Sequence, residues 1–134
     1  MKKRNGFTLV ELLAVIVILA IILVIAVTQI MNTIKDARIG AFESSAKLLA
    51  SNAETYWLTK QTLGETLPTS ASCTDLASLS STDYDLTEGK CTVTIDESGN
   101  ATVTLEGKTG GKFAGCKVSG ATKSSADATG GNCE

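Results

Sequence analysis

Gly6-Phe7-Thr8-Leu9-Val10-Glu11, continued by LLAVIVILAIILVIAV over Leu12 to Val27, is the stretch on which the reading of the whole chain turns. Its second part is sixteen consecutive apolar residues. A hydrocarbon core about 30 Å thick needs roughly 20 largely apolar helical residues to cross it. Phe7 to Val27 supplies 21, interrupted only by Thr8 and Glu11, so the segment is long enough to span a membrane. Lys2, Lys3 and Arg4 stand ahead of it. The positive-inside tendency then predicts a cytoplasmic N-terminus, with everything after the apolar run outside.

Nothing forces a break where the apolar run ends. Pro68 is the only proline, and Gly40 is the only glycine between Phe7 and Lys60. Beyond Ile34, the residues Ile39, Phe42, Ala46, Leu49, Ala53 and Trp57 recur at spacings of three and four, which is an amphipathic helical stripe. Lys35, Asp36, Glu43, Lys47, Glu54 and Lys60 mostly fall on other faces. The pattern predicts one helix from about Thr8 to about Lys60, roughly 80 Å long at 1.5 Å per residue. Neither one membrane nor one small head needs that length. The first half is expected to project, and the second half to pack its stripe on the head.

After Lys60 the composition turns to Ser, Thr, Gly and Asp. Gln61 to Glu88 reads as loop, with a short helical turn at Thr74 to Leu79 the one element to consider. The period then changes to two. Cys91-Thr-Val-Thr-Ile95 and Ala101-Thr-Val-Thr-Leu105 alternate cleanly around the turn signal Glu97-Ser-Gly-Asn100, which predicts a hairpin. Gly107 to Gly111 supplies a second turn and Lys112 to Val118 a third strand. Val93, Ile95, Val103, Leu105, Phe113 and Val118 would form the apolar sheet face that meets the helix stripe, with Trp57 in that core. The predicted fold class is α+β: a long N-terminal α-helix, its first half membrane-spanning, packed on a small C-terminal antiparallel sheet. Its parts are a leader at 1–6, an apolar helix at 7–34, the amphipathic continuation at 35–60 and a head at 61–134.

The head contains Cys73, Cys91, Cys116 and Cys133, an even count in a small polar region. In an oxidising compartment this reads as two disulfides. A metal site is disfavoured, because the chain has no CxxC pair and no His. Four cysteines allow three pairing schemes, and sequence does not choose among them. Cys73–Cys91 with Cys116–Cys133 is favoured. It fastens loop to sheet and polar tail to third strand, whereas Cys91 and Cys116 would lie on strands about 9–10 Å apart, beyond the usual 4.4–6.8 Å reach. Five Lys against ten acidic residues leave the head at −5, so it has no electrostatic attraction for a phosphate backbone, and direct nucleic-acid binding is not expected.

Thr8 followed three residues later by Glu11 is a capping box, each side chain serving the other's backbone N–H, and the helix dipole favours an anion there. That accounts for the local geometry and leaves a cost. A charged side chain within an apolar helix is unfavourable, by about 2.5 kcal/mol or more at the bilayer centre, and such groups usually have a partner. If the chain is cut before Phe7, the new ammonium supplies one, from the same chain or from a neighbour.

A short basic leader ending in Gly6, then FTLVE and an unbroken apolar run, resembles the signal of type IV prepilins and pseudopilins. The specific match covers residues 1 to about 35, while the long helix and small sheet resemble the family's lollipop architecture. The resemblance implies cleavage between Gly6 and Phe7 by a membrane prepilin peptidase, which also N-methylates Phe7. It further implies pairing of Glu11 with the Phe7 amine of an adjacent subunit. The implied partners are further copies in a helical homopolymer, other pilins, the inner-membrane assembly platform, its ATPase system, and membrane lipid before assembly. It implies a single-pass cytoplasmic-membrane protein that passes into an extracellular pilus, with no cofactor. Many members carry Pro where this chain has Thr28, so no kink is built in at that point.

Other readings fit less well. A secretory signal peptide would have a shorter apolar stretch, and Ala26-Val27-Thr28 is a poor cleavage site. A pseudopilin of a type II secretion or DNA-uptake machine is the alternative within the family, and a plain single-span surface protein the alternative outside it. No catalytic constellation or phosphate loop is present, so no enzyme is expected. Asp96, Ser98 and Asn100 begin a calcium-loop spacing, but Ala101 and Gly107 occupy the places that require Gly and Glu. A hairpin turn explains them better.

Overall fold

The computed structural model describes residues 6–128 and Cys133. The leader up to residue 5, the segment 129–132 and residue 134 lie outside the described residues. Contacts divide the chain into two units, Met1–Ile34 and Lys35–Glu134, and each is described by itself.

Helix α1 runs from Leu9 to Thr62 and contributes to both. In the first unit two threonines of its apolar stretch are satisfied within the helix. The Thr28 hydroxyl donates to the Ile25 carbonyl at 2.9 Å and Thr33 to that of Gln29 at 3.1 Å. This is the usual way a threonine is tolerated among apolar neighbours, and the helix passes through Thr28 unbroken. Its end at Thr62 is set by Gly64, whose φ of +69° is costly for any side chain. Glu65 N–H reaches the Lys60 carbonyl and Gly64 N–H that of Gln61, together a Schellman stop.

In the second unit, α1 lays its stripe on an antiparallel sheet, the α+β arrangement expected. Strand β1 is Ser70–Ala71, helix α2 Cys73–Leu76, β2 Tyr84–Asp85, β3 Cys91–Ile95, β4 Ala101–Gly107 and β5 Lys117–Ala121. β4 is central and pairs with β3, β5 and β2, while β1 pairs with β3. The β3–β4 register sets Val93 opposite Val103 and Thr94 opposite Thr102. Period-two alternation then turns Val93, Ile95, Ala101, Val103 and Leu105 toward the helix and the threonines away. From the helix come Phe42, Ala46, Leu49, Ala50, Ala53 and Trp57, all buried. Three of those six are alanines, which lets the sheet approach the backbone closely. Ile39, counted in the stripe from its spacing, is only partly buried at its edge.

The third strand differs from expectation. Lys112 to Cys116 is not strand, and β5 begins at Lys117 and continues to Ala121. Gly110 and Gly115 both have φ near +80°, a conformation that ends an extended run. Between them the chain makes tight turns, with Gly111 N–H to the Lys108 carbonyl and Cys116 N–H to that of Phe113. The turn swings Phe113 into the core, its ring centroid 4.9 Å from Tyr84 and 5.5 Å from Phe42. Gly107 makes room for it, since a Cβ there would lie 1.7 Å from the Phe113 carbonyl oxygen. The region taken as loop holds β1, α2 and β2; two-residue strands have no period to read.

Candidate functional site

The residues singled out at the N-terminus are brought together by one turn of chain. Gly6 and Phe7 precede the helix, and both are exposed. Thr8 is the cap: Leu12 N–H donates to its carbonyl, and Glu11 N–H donates to its hydroxyl at 3.3 Å. The Glu11 carboxylate reaches back to Thr8, accepting from its backbone N–H at 2.9 Å and its hydroxyl at 3.1 Å. The reciprocal capping box is therefore formed, and Glu11 has partners within its own chain. Both hydrogen bonds come from neutral groups of Thr8, and among the described residues of the first unit no basic side chain pairs with the carboxylate.

Beyond this cap, every large apolar side chain from Leu9 to Ile34 is exposed in the first unit, Leu9 at 88 % and Ile34 at 43 %. By length and composition this is a helix fit to cross a membrane. An apolar surface of that extent needs lipid or protein against it.

The head carries the four cysteines as two bonds. Cys73 is joined to Cys91 with Cα atoms 6.2 Å apart, and Cys116 to Cys133 at 4.5 Å. Cys73 sits at the start of α2 and Cys91 at the start of β3, so the first bond closes the loop onto the sheet. The second ties the tail to the residue before β5. That tail runs back along β5, with Ala128 bridged to Val118. Its Ala128 N–H donates to Glu43 on the helix at 2.9 Å, and Lys123 pairs with Glu54 at 2.7 Å. The Tyr84 and Ser45 hydroxyls lie 2.7 Å apart, and the Asn52 amide donates to the Leu76 carbonyl at 2.7 Å. Sequence reasoning placed Glu43 and Glu54 merely off the stripe and passed over Ser45 and Asn52. The available signal was position: each adjoins a stripe residue or lies one turn from it, where half-burial is expected.

Asp96 does not point to an ion. One carboxylate oxygen accepts from the Ser98 and Asn100 backbone N–H groups, and the other from the Asn100 amide. Asn100 first, with the turn's backbone, holds that carboxyl below its usual range. Among the described residues, no group of three or more His, Cys, Asp or Glu side chains converges as metal ligands.

The clearest electrostatic cluster of the sheet is Glu106 between Lys117 and Lys90, at 2.7 and 2.5 Å. Lys117 above all, then Lys90, keeps the Glu106 carboxyl below the usual carboxylate range. Such a group contributes stability above its unfolded pKa, about 4.3 for Glu, and loses it as pH falls through the folded value. Melting of the full chain in detergent is expected to drop as pH falls below about 4.3, and Glu106→Gln to drop less steeply. Superimposable curves would show that the cluster adds nothing.

Residues 1–27 match the family model described as the prokaryotic N-terminal methylation motif. No curated protein and no solved structure matches the chain. The match spans the basic leader, the Thr8–Glu11 cap and the apolar run. The match supports a type IV pilin-like prepilin signal at the N-terminus, and the long helix packed on an antiparallel sheet fits a pilin-like fold.

Proposed function

We propose that this protein is a structural subunit of a type IV pilus, stored in the membrane by its apolar helix and built into a filament through that same surface. The observation that carries the reading is the exposed apolar face of Leu9 to Ile34, headed by the single carboxylate of Glu11 beside the proposed cut. Cleavage between Gly6 and Phe7 leaves one residue ahead of the Thr8 cap. The new ammonium then sits at the positive end of the helix dipole, where a cation is unfavourable. Glu11 is the one acidic side chain of the first helical turn. In a bundle of such helices its charge meets the Phe7 amine of a neighbour, and two charges that are each costly in an apolar medium become one pair. N-methylation of Phe7 leaves that amine basic.

The processing partner is a prepilin peptidase, and the assembly partners are further copies, an inner-membrane platform and its ATPase. The head lies outside the cell, where both disulfides persist. The role is assembly rather than catalysis.

Intact mass of the protein from its own cells tests the processing. The expected chain begins at methylated Phe7, Gly6→Arg stays uncut, and a chain starting after residue 26 overturns the proposal. Deletion and imaging of surface filaments test the assignment. Filaments that vanish identify a pilus subunit; intact filaments with lost secretion or DNA uptake identify a pseudopilin instead.

A further inference from the structure

We propose that Asn100 is an acceptor for N-linked glycosylation, the sugar being carried on its side-chain amide nitrogen. The chain has five asparagines: Asn5, Asn32, Asn52, Asn100 and Asn132. Only Asn100 has a hydroxyl residue two places on, in Asn100-Ala101-Thr102, and the residue between is not proline. That is the acceptor pattern of secreted proteins, used at exposed turns. The inference rests on the proposed function in placing the head outside the cell.

The fold meets the pattern's demands. Asn100 stands between the Asp96–Gly99 turn and the first residue of β4. Asn100 and Thr102 are exposed, and Ala101 between them is fully buried. Strand alternation therefore sets the acceptor amide and the threonine hydroxyl on one solvent-facing side. The same side continues as a neutral bed of hydroxyls. Thr92 lies opposite Thr104 and Thr94 opposite Thr102, with the Thr94 and Thr102 hydroxyls 2.6 Å apart. A glycan leaving Asn100 would meet these hydroxyls first, with the Glu106, Lys90 and Lys117 cluster following farther along the same face.

The amide nitrogen is also compatible with substitution. Asn100 Nδ2 donates to Asp96 Oδ2 at 3.0 Å. An unmodified amide has two N–H donors and a glycosylated one keeps one, so this contact can survive attachment. The turn's backbone bonds do not involve Nδ2 at all. In the transfer, Nδ2 forms a C–N bond to the anomeric carbon of a lipid-linked sugar diphosphate. The anomeric C–O bond breaks, and the lipid diphosphate departs with its electron pair. The amide proton passes to a base of the transferring enzyme.

The test is intact mass, with fragmentation of the tryptic peptide between Lys90 and Lys108, on protein isolated from its own cells. The expected result is a sugar mass located on Asn100. Asn100→Gln and Thr102→Ala should lose it completely, while Thr102→Ser keeps it. A native peptide without added mass overturns the inference, and so does a mass that persists in Asn100→Gln, which would place the sugar on a hydroxyl. The two proposals fail separately. A bare Asn100 on a chain cut after Gly6 sinks the glycosylation alone, whereas a sugar on an uncut chain supports it and counts against the pilus reading.

Discussion

Glu11→Val yields protein that is still cut after Gly6 but fails to enter filaments. In the filament the substitution leaves the Phe7 ammonium among apolar side chains with no counter-charge. Breaking a buried pair by removing one partner costs about 3–5 kcal/mol, which is roughly a hundred- to several thousand-fold in the concentration needed to add a subunit. The effect is met at every addition, so filaments are lost rather than shortened. Glu11→Gln separates the two roles of the carboxylate. Glutamine can still reach back to the Thr8 N–H and preserve the cap, but it carries no charge. Both variants should accumulate as processed membrane protein, visible by mass, with no filaments by microscopy. If Glu11→Gln assembles normally, the cap is the whole role of this residue and the pairing with Phe7 is wrong.

The second large effect is on the head. Replacing Cys116 and Cys133 together by Ser opens a bond spanning 17 residues, worth about 3 kcal/mol on the chain-entropy model. Both cysteines are nearly inaccessible, at 2 % and 3 % exposure, so the new hydroxyls also lose water without a guaranteed partner. Among the described residues the tail's other ties are few, the part-buried hydrogen bond from Ala128 N–H to Glu43 being one of them. The Lys123–Glu54 pair is largely exposed on the lysine side and adds little, and the bridge to β5 is a single residue pair. A loss of about 3 kcal/mol in a unit of this size lowers Tm by roughly 10–20 °C. The full chain in detergent, melted with and without reductant, reads this directly. The variant without reductant should melt well below the parent, and trypsin should cut it early after Lys123. An unchanged melt would mean that the tail is held by its noncovalent contacts alone.

What could be read from the residues divides along the length over which a pattern repeats. The helix was legible because its apolar run and its stripe each extend over many turns, and the β3–β4 hairpin because two five-residue alternations flank a turn. The Thr8–Glu11 cap was legible because it is local, three residues apart. β5 was misplaced for a definite reason. Lys112 to Val118 follows a turn and holds Phe113, Cys116 and Val118, but Gly110 and Gly115 take positive φ and fold it into turns. Phe113 still reaches the core, by a turn rather than a pleat. Tyr84 was missed because its neighbours Ser81, Thr82, Asp83 and Asp85 are all polar; its burial depends on Phe42, 42 residues earlier, and Phe113, 29 later. Ala50 escaped the stripe because the three-and-four spacing was followed from Ala46 through its neighbour Leu49 to Ala53, although Ala50 is fully buried.

Because the helix supplies Phe42, Leu49 and Trp57 to the core of the head, the order of synthesis matters. A chain made from its N-terminus exposes this stripe before any strand exists to cover it. Until β3, β4 and β5 have emerged, the stripe is an amphipathic surface with nothing opposite, and such a surface rests readily against a lipid interface. Its closing contacts join residues 42–57 to residues 84–121, separations that make folding slow compared with a local bundle. Until the sheet forms, the stripe is the part of the head most open to proteolysis and to nonspecific apolar contact. Formation of β3, β4 and β5 is what covers it.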